Sequence, residues 1–159
     1  MRDAGLVESR PAYREPDWVT RHVFNPLVKA LTRAGVSVLG SRILRVRGRT
    51  SGHWRETPVN LLTFGGAHYL VAARGETQWV RNLRAAGGGE LRVGRRVHAF
   101  TATEVDDDEK VAVLRAYLRR WRWEVGAFFG GVGPDSSDQE VHEEAPAHPV
   151  FLLRVSPAS

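Results

Sequence analysis

Between positions 45 and 55 the chain reads Arg45-Val46-Arg47-Gly48-Arg49-Thr50-Ser51-Gly52-His53-Trp54-Arg55. Gly48 and Gly52 bracket a tight turn that exposes backbone N–H groups, and Arg49, Thr50, Ser51 and Arg55 add charge and hydroxyl donors suited to an anion such as a phosphate. A basic hairpin that decorates the surface accounts for the same residues. A second cluster, Ala72-Ala73-Arg74-Gly75, precedes a helix opened by Thr77. Small side chains let a planar ring approach the backbone, the helix N-terminus supplies donors, and Trp79 offers an aromatic wall. Trp79 serves as well in a core, and Arg81 and Asn82 of that helix read equally as solvent-facing.

Other chemistries lack their residues. No serine stands in a Gly-x-Ser-x-Gly elbow beside a pairing base, so hydrolase chemistry is disfavoured. Gly87-Gly88-Gly89 follows a helix and lacks the P-loop lysine, which makes it a helix stop. With no cysteine and six histidines in no zinc spacing, no metal site is expected. No catalytic acid can be named.

The elements that must position these clusters are short. Ile43 to Arg47 alternates apolar and charged residues from Leu44 onward, Thr57 to Phe64 is a second strand, and Gly65-Gly66 turns it into a third over Ala67 to Ala73. The helix at Thr77 to Ala85 buries Trp79, Val80 and Leu83, and a hairpin follows from Leu91–Val93 and Val97–Val105 with Arg95-Arg96 at its tip. Asp106 to Glu109 supply the negative charge that a helix N-terminus favours, with Val111, Leu114, Leu118 and Trp121 as the buried stripe behind them. Residues 130–147, rich in Gly, Pro, Ser, Asp and Glu, read as a mobile acidic loop, and Pro149 to Val155 as the last strand. Upstream, residues 1–16 read as a flexible leader, and 17–34 as a helix interrupted at Pro26 that packs on the core or lies on an anionic membrane. These elements predict an antiparallel, barrel-like α+β domain over 17–159.

Length and charge agree with one domain. The chain has 159 residues and net charge +5, distributed as +2 over 1–41, +8 over 42–103 and −5 over 104–159. A basic middle segment calls for an anionic partner. Nucleic acid is set aside, because no helix-turn-helix or aromatic sheet motif accompanies the charge. No run of apolar residues is long enough for a spanning helix and no signal peptide is evident, so a cytoplasmic protein is expected.

In order and spacing the two clusters resemble those of the deazaflavin-dependent nitroreductase family, the split-barrel enzymes that use coenzyme F420. The likeness rests on Gly48-Arg49-Thr50-Ser51-Gly52-His53-Trp54-Arg55-Glu56-Thr57-Pro58, on Trp79-Val80-Arg81-Asn82-Leu83 and on His148-Pro149-Val150-Phe151, and it covers residues 24–105 best. It implies a split antiparallel β-barrel of the FMN-binding type, with an N-terminal helix and inserted helices. It further implies that Gly48, Arg49, Thr50, Ser51, Gly52 and Arg55 hold the cofactor's phosphodiester and oligoglutamate tail. Pro58 would fix the strand beside the ring, Ala72, Ala73, Arg74 and Gly75 would line the ring, and Trp79 and Asn82 would support that wall.

The implied reaction is hydride transfer from reduced coenzyme F420 to a conjugated acceptor such as a quinone, enone or nitro compound, with the cofactor carrying the hard chemistry. The alternative is a non-catalytic split barrel that stores a flavin-like or fatty ligand, and FMN is the alternative cofactor. The resemblance also leaves room for a homodimer and for peripheral membrane contact through the N-terminal helix. The chain departs from the family in three ways. Thr50 stands where many relatives carry lysine, the turn at Arg74-Gly75-Glu76 is compact, and no tyrosine follows Tyr117. Trp121, Trp123, Phe128 and Phe129 are the candidates for an apolar roof over the substrate, with at least two of them expected in the core.

Overall fold

A spacing of two puts Leu44 and Val46 on one face of β1 (Ser41–Arg47), both buried, and five more strands follow it along the chain. These are β2 (Trp54–Phe64), β3 (Ala67–Val71), β4 (Gly88–Val93), β5 (Arg96–Glu104) and β6 (Val150–Val155). The computed structural model describes residues 41–156, so the expected leader and N-terminal helix lie outside the described residues. Three helices join the strands: α1 (Gln78–Ala86), α2 (Asp107–Val125) and α3 (Asp138–Glu144). Single 3-10 turns stand at Gly126–Phe128 and Ala145–Ala147.

The six strands close into one antiparallel barrel in the order β1-β2-β3-β6-β5-β4, with β4 pairing back onto β1. Closure leaves no unpaired edge. Inside the barrel lie Leu44, Val46, Leu70, Ala72, Leu91, Phe100, Phe151 and Leu153, and Val80 and Leu83 of α1 complete this core. Each large apolar side chain buried there stabilises the fold by about 1.5–3 kcal/mol against exposure. A second core forms on the outer face. Leu62, Val71 and Val150 meet Val113, Leu114, Tyr117, Leu118 and Trp121 of α2, residues spaced to share one helical face.

Local chemistry explains most boundaries. Gly65 and Gly66 both take positive φ (60° and 79°), the requirement of a two-residue hairpin turn between twisted strands. Asp106 caps α2, its Oδ1 accepting from the Glu109 N–H at 2.9 Å.

Three expectations are corrected. Only Gly87 ends α1, while Gly88 and Gly89 already belong to β4. They are glycine because backbones crowd there: a Cβ on Gly88 would fall onto the carbonyl oxygen of Phe100, and one on Gly89 onto that of Arg45. β2 begins at Trp54 instead of Thr57 because Trp54, Arg55 and Glu56 already pair with Arg47, Val46 and Arg45. Residues 130–147 are not a structureless loop either. They contain α3, opened by a capping box in which Ser137 accepts from the Glu140 N–H and Glu140 accepts from the Ser137 N–H. Val141 and Ala145 bury it against α2.

Candidate active site at the helix-capped end of the barrel

The basic turn is held by its own backbone before anything else touches it. Gly48 N–H donates to His53 O and Gly52 N–H to Gly48 O, each at 2.8 Å. Ser51 Oγ accepts from the His53 N–H at 3.1 Å. A Cβ on Gly48 would sit 2.9 Å from that Oγ, so a larger residue there would have to displace the Ser51 hydroxyl. Arg47 donates to Gly52 O at 2.9 Å from the strand side. Thr50, Ser51, Gly52 and Arg55 are exposed.

Asn82 then fastens the turn to α1. Its Oδ1 accepts the Arg49 backbone N–H at 3.0 Å and the Arg49 guanidinium at 2.8 Å, and its side chain is buried. Arg49 Nη1 also reaches Gln78 Oε1 at 2.9 Å, one turn earlier on the same face of α1. Gln78 opens α1 directly behind the small-residue segment, so the turn at 48–52 and the segment at 72–77 meet at one end of the barrel. Gln78 was missed at the sequence level, although its spacing of four from Asn82 is the signal that would have found it.

The 72–77 segment is wound on itself. Gly75 N–H donates to Ala72 O at 3.1 Å and Thr77 N–H to Gly75 O at 2.9 Å. The chain after α3 supports it from behind: Ala72 N–H donates to Pro149 O at 2.8 Å, and His148 Nδ1 lies 3.3 Å from Ala72 O. Buried His148 also places Nε2 2.7 Å from Glu144 Oε2 and stacks on Phe129 with ring centroids 3.9 Å apart. Thr77 stands at the cap position of α1 without a side-chain cap bond, and its buried Oγ1 has no partner among the described residues. At the far side of the segment, Glu76 and Glu104 both bind Arg84. Hydrogen bonding from Arg84 holds the Glu76 carboxyl below the usual carboxylate range; burial opposes it, and the charge of Arg84 adds a lesser lowering.

The other candidates divide. Ala72 points into the inner core, leaving its backbone at the site, and Trp79 tilts against Phe151 with centroids 6.1 Å apart. Ala73 packs toward the outer core. Arg74 lies over the Phe128 ring at 4.8 Å, which joins a ring-lining candidate to a roof candidate. Pro58 is not brought to the cluster. It pairs with Ile43 on the outer face of β2, because strand parity gives Thr57 and Val59 the inner positions. Trp121 and Phe129 are 1% and 0% exposed and pack around Tyr117, so neither presents a surface to an acceptor. Trp123 is 69% exposed on α2. Burial, then the Glu124 carboxylate, pushes the Tyr117 phenol above its ordinary value and keeps it protonated in the core.

No group of metal-ligating side chains occurs among the described residues, and no helix among them is long and apolar enough to cross a membrane. Solved structures share the barrel. An F420-H2 dependent reductase, FDR-A, aligns at 18% identity over 72% of this chain and 94% of its own, with TM-score 0.52. A domain-swapped dimer aligns at 16% identity over 85% and 98%, with TM-score 0.54. A protein of unknown function from Agrobacterium tumefaciens aligns at 16% over 94% of this chain and 60% of its own, with TM-score 0.53. At such identities the likeness establishes the fold alone. No curated protein matches the chain. The family of F420H(2)-dependent quinone reductases matches residues 12–124, and the chain therefore belongs to that family, as an oxidoreductase whose cofactor is coenzyme F420.

Proposed function

We propose that the helix-capped end of the barrel holds coenzyme F420 and that the chain passes hydride from its reduced form to a quinone. The observation that carries this reading is the double hydrogen bond from Arg49 to Asn82, which sets an acid-free basic turn beside the N-terminus of α1. The residues present fit an elongated anion with a planar end. Positions 47–55 contain Arg47, Arg49 and Arg55 and no acid, and the Thr77 hydroxyl is a buried donor in need of an acceptor.

Arg49 uses Nη1 on Asn82 and Gln78, and the rest of its guanidinium keeps donor capacity for a phosphodiester or carboxylate tail. Thr50, Ser51, Gly52 and Arg55 extend that surface. The backbone of Ala72 to Gly75 borders the ring, with Trp79 and Asn82 behind it and Arg74 against Phe128 at the acceptor side. When bound, reduced coenzyme F420 supplies the hydride, and a proton from water completes the reduction of a quinone to its hydroquinone. The chain's part is to hold donor and acceptor in reacting geometry and to aim N–H and hydroxyl donors at the oxygen where charge develops. Quinone is preferred over enone or nitro acceptors because the family is defined by it. Two copies are proposed to pair, following the dimeric counterpart of the same fold.

The test follows the absorbance of reduced F420 with menadione as acceptor, alongside fluorescence titrations of F420 and FMN. Turnover with menadione and a preference for F420 support the reading. Binding without oxidation makes the chain a store, and preference for FMN moves the site to a different cofactor.

A further inference from the structure

His148 follows the 3-10 turn at Ala145–Ala147 and is 2% exposed, a buried imidazole that the proposed reaction leaves unused. Its Nδ1 lies 3.3 Å from Ala72 O, and because a peptide carbonyl only accepts, Nδ1 carries a proton and donates it. Its Nε2 lies 2.7 Å from Oε2 of Glu144, the last residue of α3, so these two share a further proton. The adjoining Pro149 O takes the Ala72 N–H at 2.8 Å, and residues 148 and 149 thereby hold both backbone groups of Ala72. Ala72 O accepts from Gly75 N–H as well, which closes the turn at 72–75.

The other face of the same imidazole fixes the acceptor side. Phe129 stacks on it with centroids 3.9 Å apart and planes 14° from parallel. The residue before Phe129 is Phe128, under the Arg74 guanidinium, and the residue after it is Gly130, where a Cβ would come 3.0 Å from Glu144 Oε1. Residues 128–130 therefore wrap the His148–Glu144 pair, and one imidazole sets the spacing between the 72–75 turn and Phe128. Volume alone does not call for an imidazole. A phenyl ring stacks on Phe129 as well, and a buried polar ring is costly unless its nitrogens are bonded, as both are here.

We propose that His148 is a positioning residue for hydride transfer: through Nδ1 on Ala72 and its stack on Phe129 it sets the distance between the wall that carries the cofactor's ring and the wall that faces the acceptor. This rests on the reading that the ring lies along residues 72–75.

Turnover of reduced F420 with menadione, F420 fluorescence titration and thermal melting of the parent, His148→Asn and His148→Gln test it. Asn places Nδ2 as many bonds from the backbone as His Nδ1 and keeps the donor to Ala72 O, whereas Gln matches Nε2 and fills the space better. Positioning ranks activity by the donor: kcat is expected to stay within about threefold of the parent in His148→Asn and to fall about tenfold or more in His148→Gln. F420 Kd is expected to change by less than about threefold in both, a shift well under one charge-assisted bond, because the basic turn holds the tail. Melting midpoints are expected to rank the other way, Gln above Asn, following the cavity left behind. Independently of turnover, NMR of the unliganded parent with labelled imidazoles is expected to show a proton bound to His148 Nδ1, with a resonance that moves on F420 saturation; this measurement stands even where the variants do not fold. A kcat for Gln at or above that for Asn, an Nδ1 without a proton, or a resonance unmoved by F420 would each overturn the proposal. A parent that neither binds nor oxidises F420 overturns the cofactor reading and the proposal with it, an outcome seen before any variant is compared.

Discussion

Asn82 Oδ1 accepts two hydrogen bonds from Arg49, one from its backbone N–H at 3.0 Å and one from its guanidinium at 2.8 Å. A single buried amide thereby fixes both the path of the basic turn and the direction of its arginine. Asn82→Ala removes both bonds, and Arg49 then explores rotamers that cost binding entropy to restrain. F420 affinity is expected to fall about tenfold, with stability lower by about 1–2 kcal/mol. Fluorescence titration and urea unfolding measure the two effects, and unchanged affinity would separate the turn from the cofactor.

Thr77 presents the converse case, a buried hydroxyl that the fold itself does not use. Thr77→Val keeps the shape and removes the donor. Relieving an orphaned polar group leaves the unliganded chain as stable or slightly more so, while a ligand that accepts from Oγ1 loses about 1 kcal/mol. The expected signature is therefore a thermal midpoint that holds or rises together with a several-fold weaker F420 Kd. A drop in midpoint without loss of affinity would make Thr77 purely structural.

The glycines at the start of β4 test how the barrel closes. Gly89 faces the carbonyl of Arg45 across the β4–β1 seam, where a methyl group has no room. Gly89→Ala must part the strands on which closure depends, and a loss of about 2 kcal/mol or more is expected, within the range of overpacking in a tight interior. Gly66→Ala in the open β2–β3 turn is a useful control, since its strain is one of φ and not of contact. If Gly89→Ala unfolds at the parent urea concentration, the seam is looser than described.

Patterns confined to neighbouring residues were legible in the sequence. Alternation from Leu44, the Gly65-Gly66 hairpin and the acids at the start of α2 each act over a few positions, and the structure repeats them. Contacts between distant elements were not. Gly88 and Gly89 look like a helix stop until β1 is laid beside β4. α3 buries only Val141 and leaves Ala145 just beyond it, too few residues for a period, and only its Ser137–Glu140 spacing betrays it. The site divides along the same line. Arg49 and Asn82 were singled out by a resemblance carried by local motifs and the structure bonds them to each other, whereas the outward face of Pro58 and the burial of Trp121 and Phe129 follow from strand parity and the packing of α2.

Glu76 gives the chain a pH dependence whose sign is fixed. Arg84 bonds it through two oxygens and holds its carboxyl low in the folded chain. A carboxyl lowered on folding contributes stability above its unfolded value and loses it as pH falls through the folded value. Both side chains are more than a third exposed, so solvent screening keeps the contribution under about 1 kcal/mol. Glu76→Gln should therefore melt slightly below the parent at pH 7, and the difference should shrink as the pH drops below about 4. One molar salt should narrow it too. Parallel melting curves for parent and variant across pH 3–8 measure this, and a difference that stays constant or widens in acid would show that Arg84 holds Glu76 by shape instead of charge.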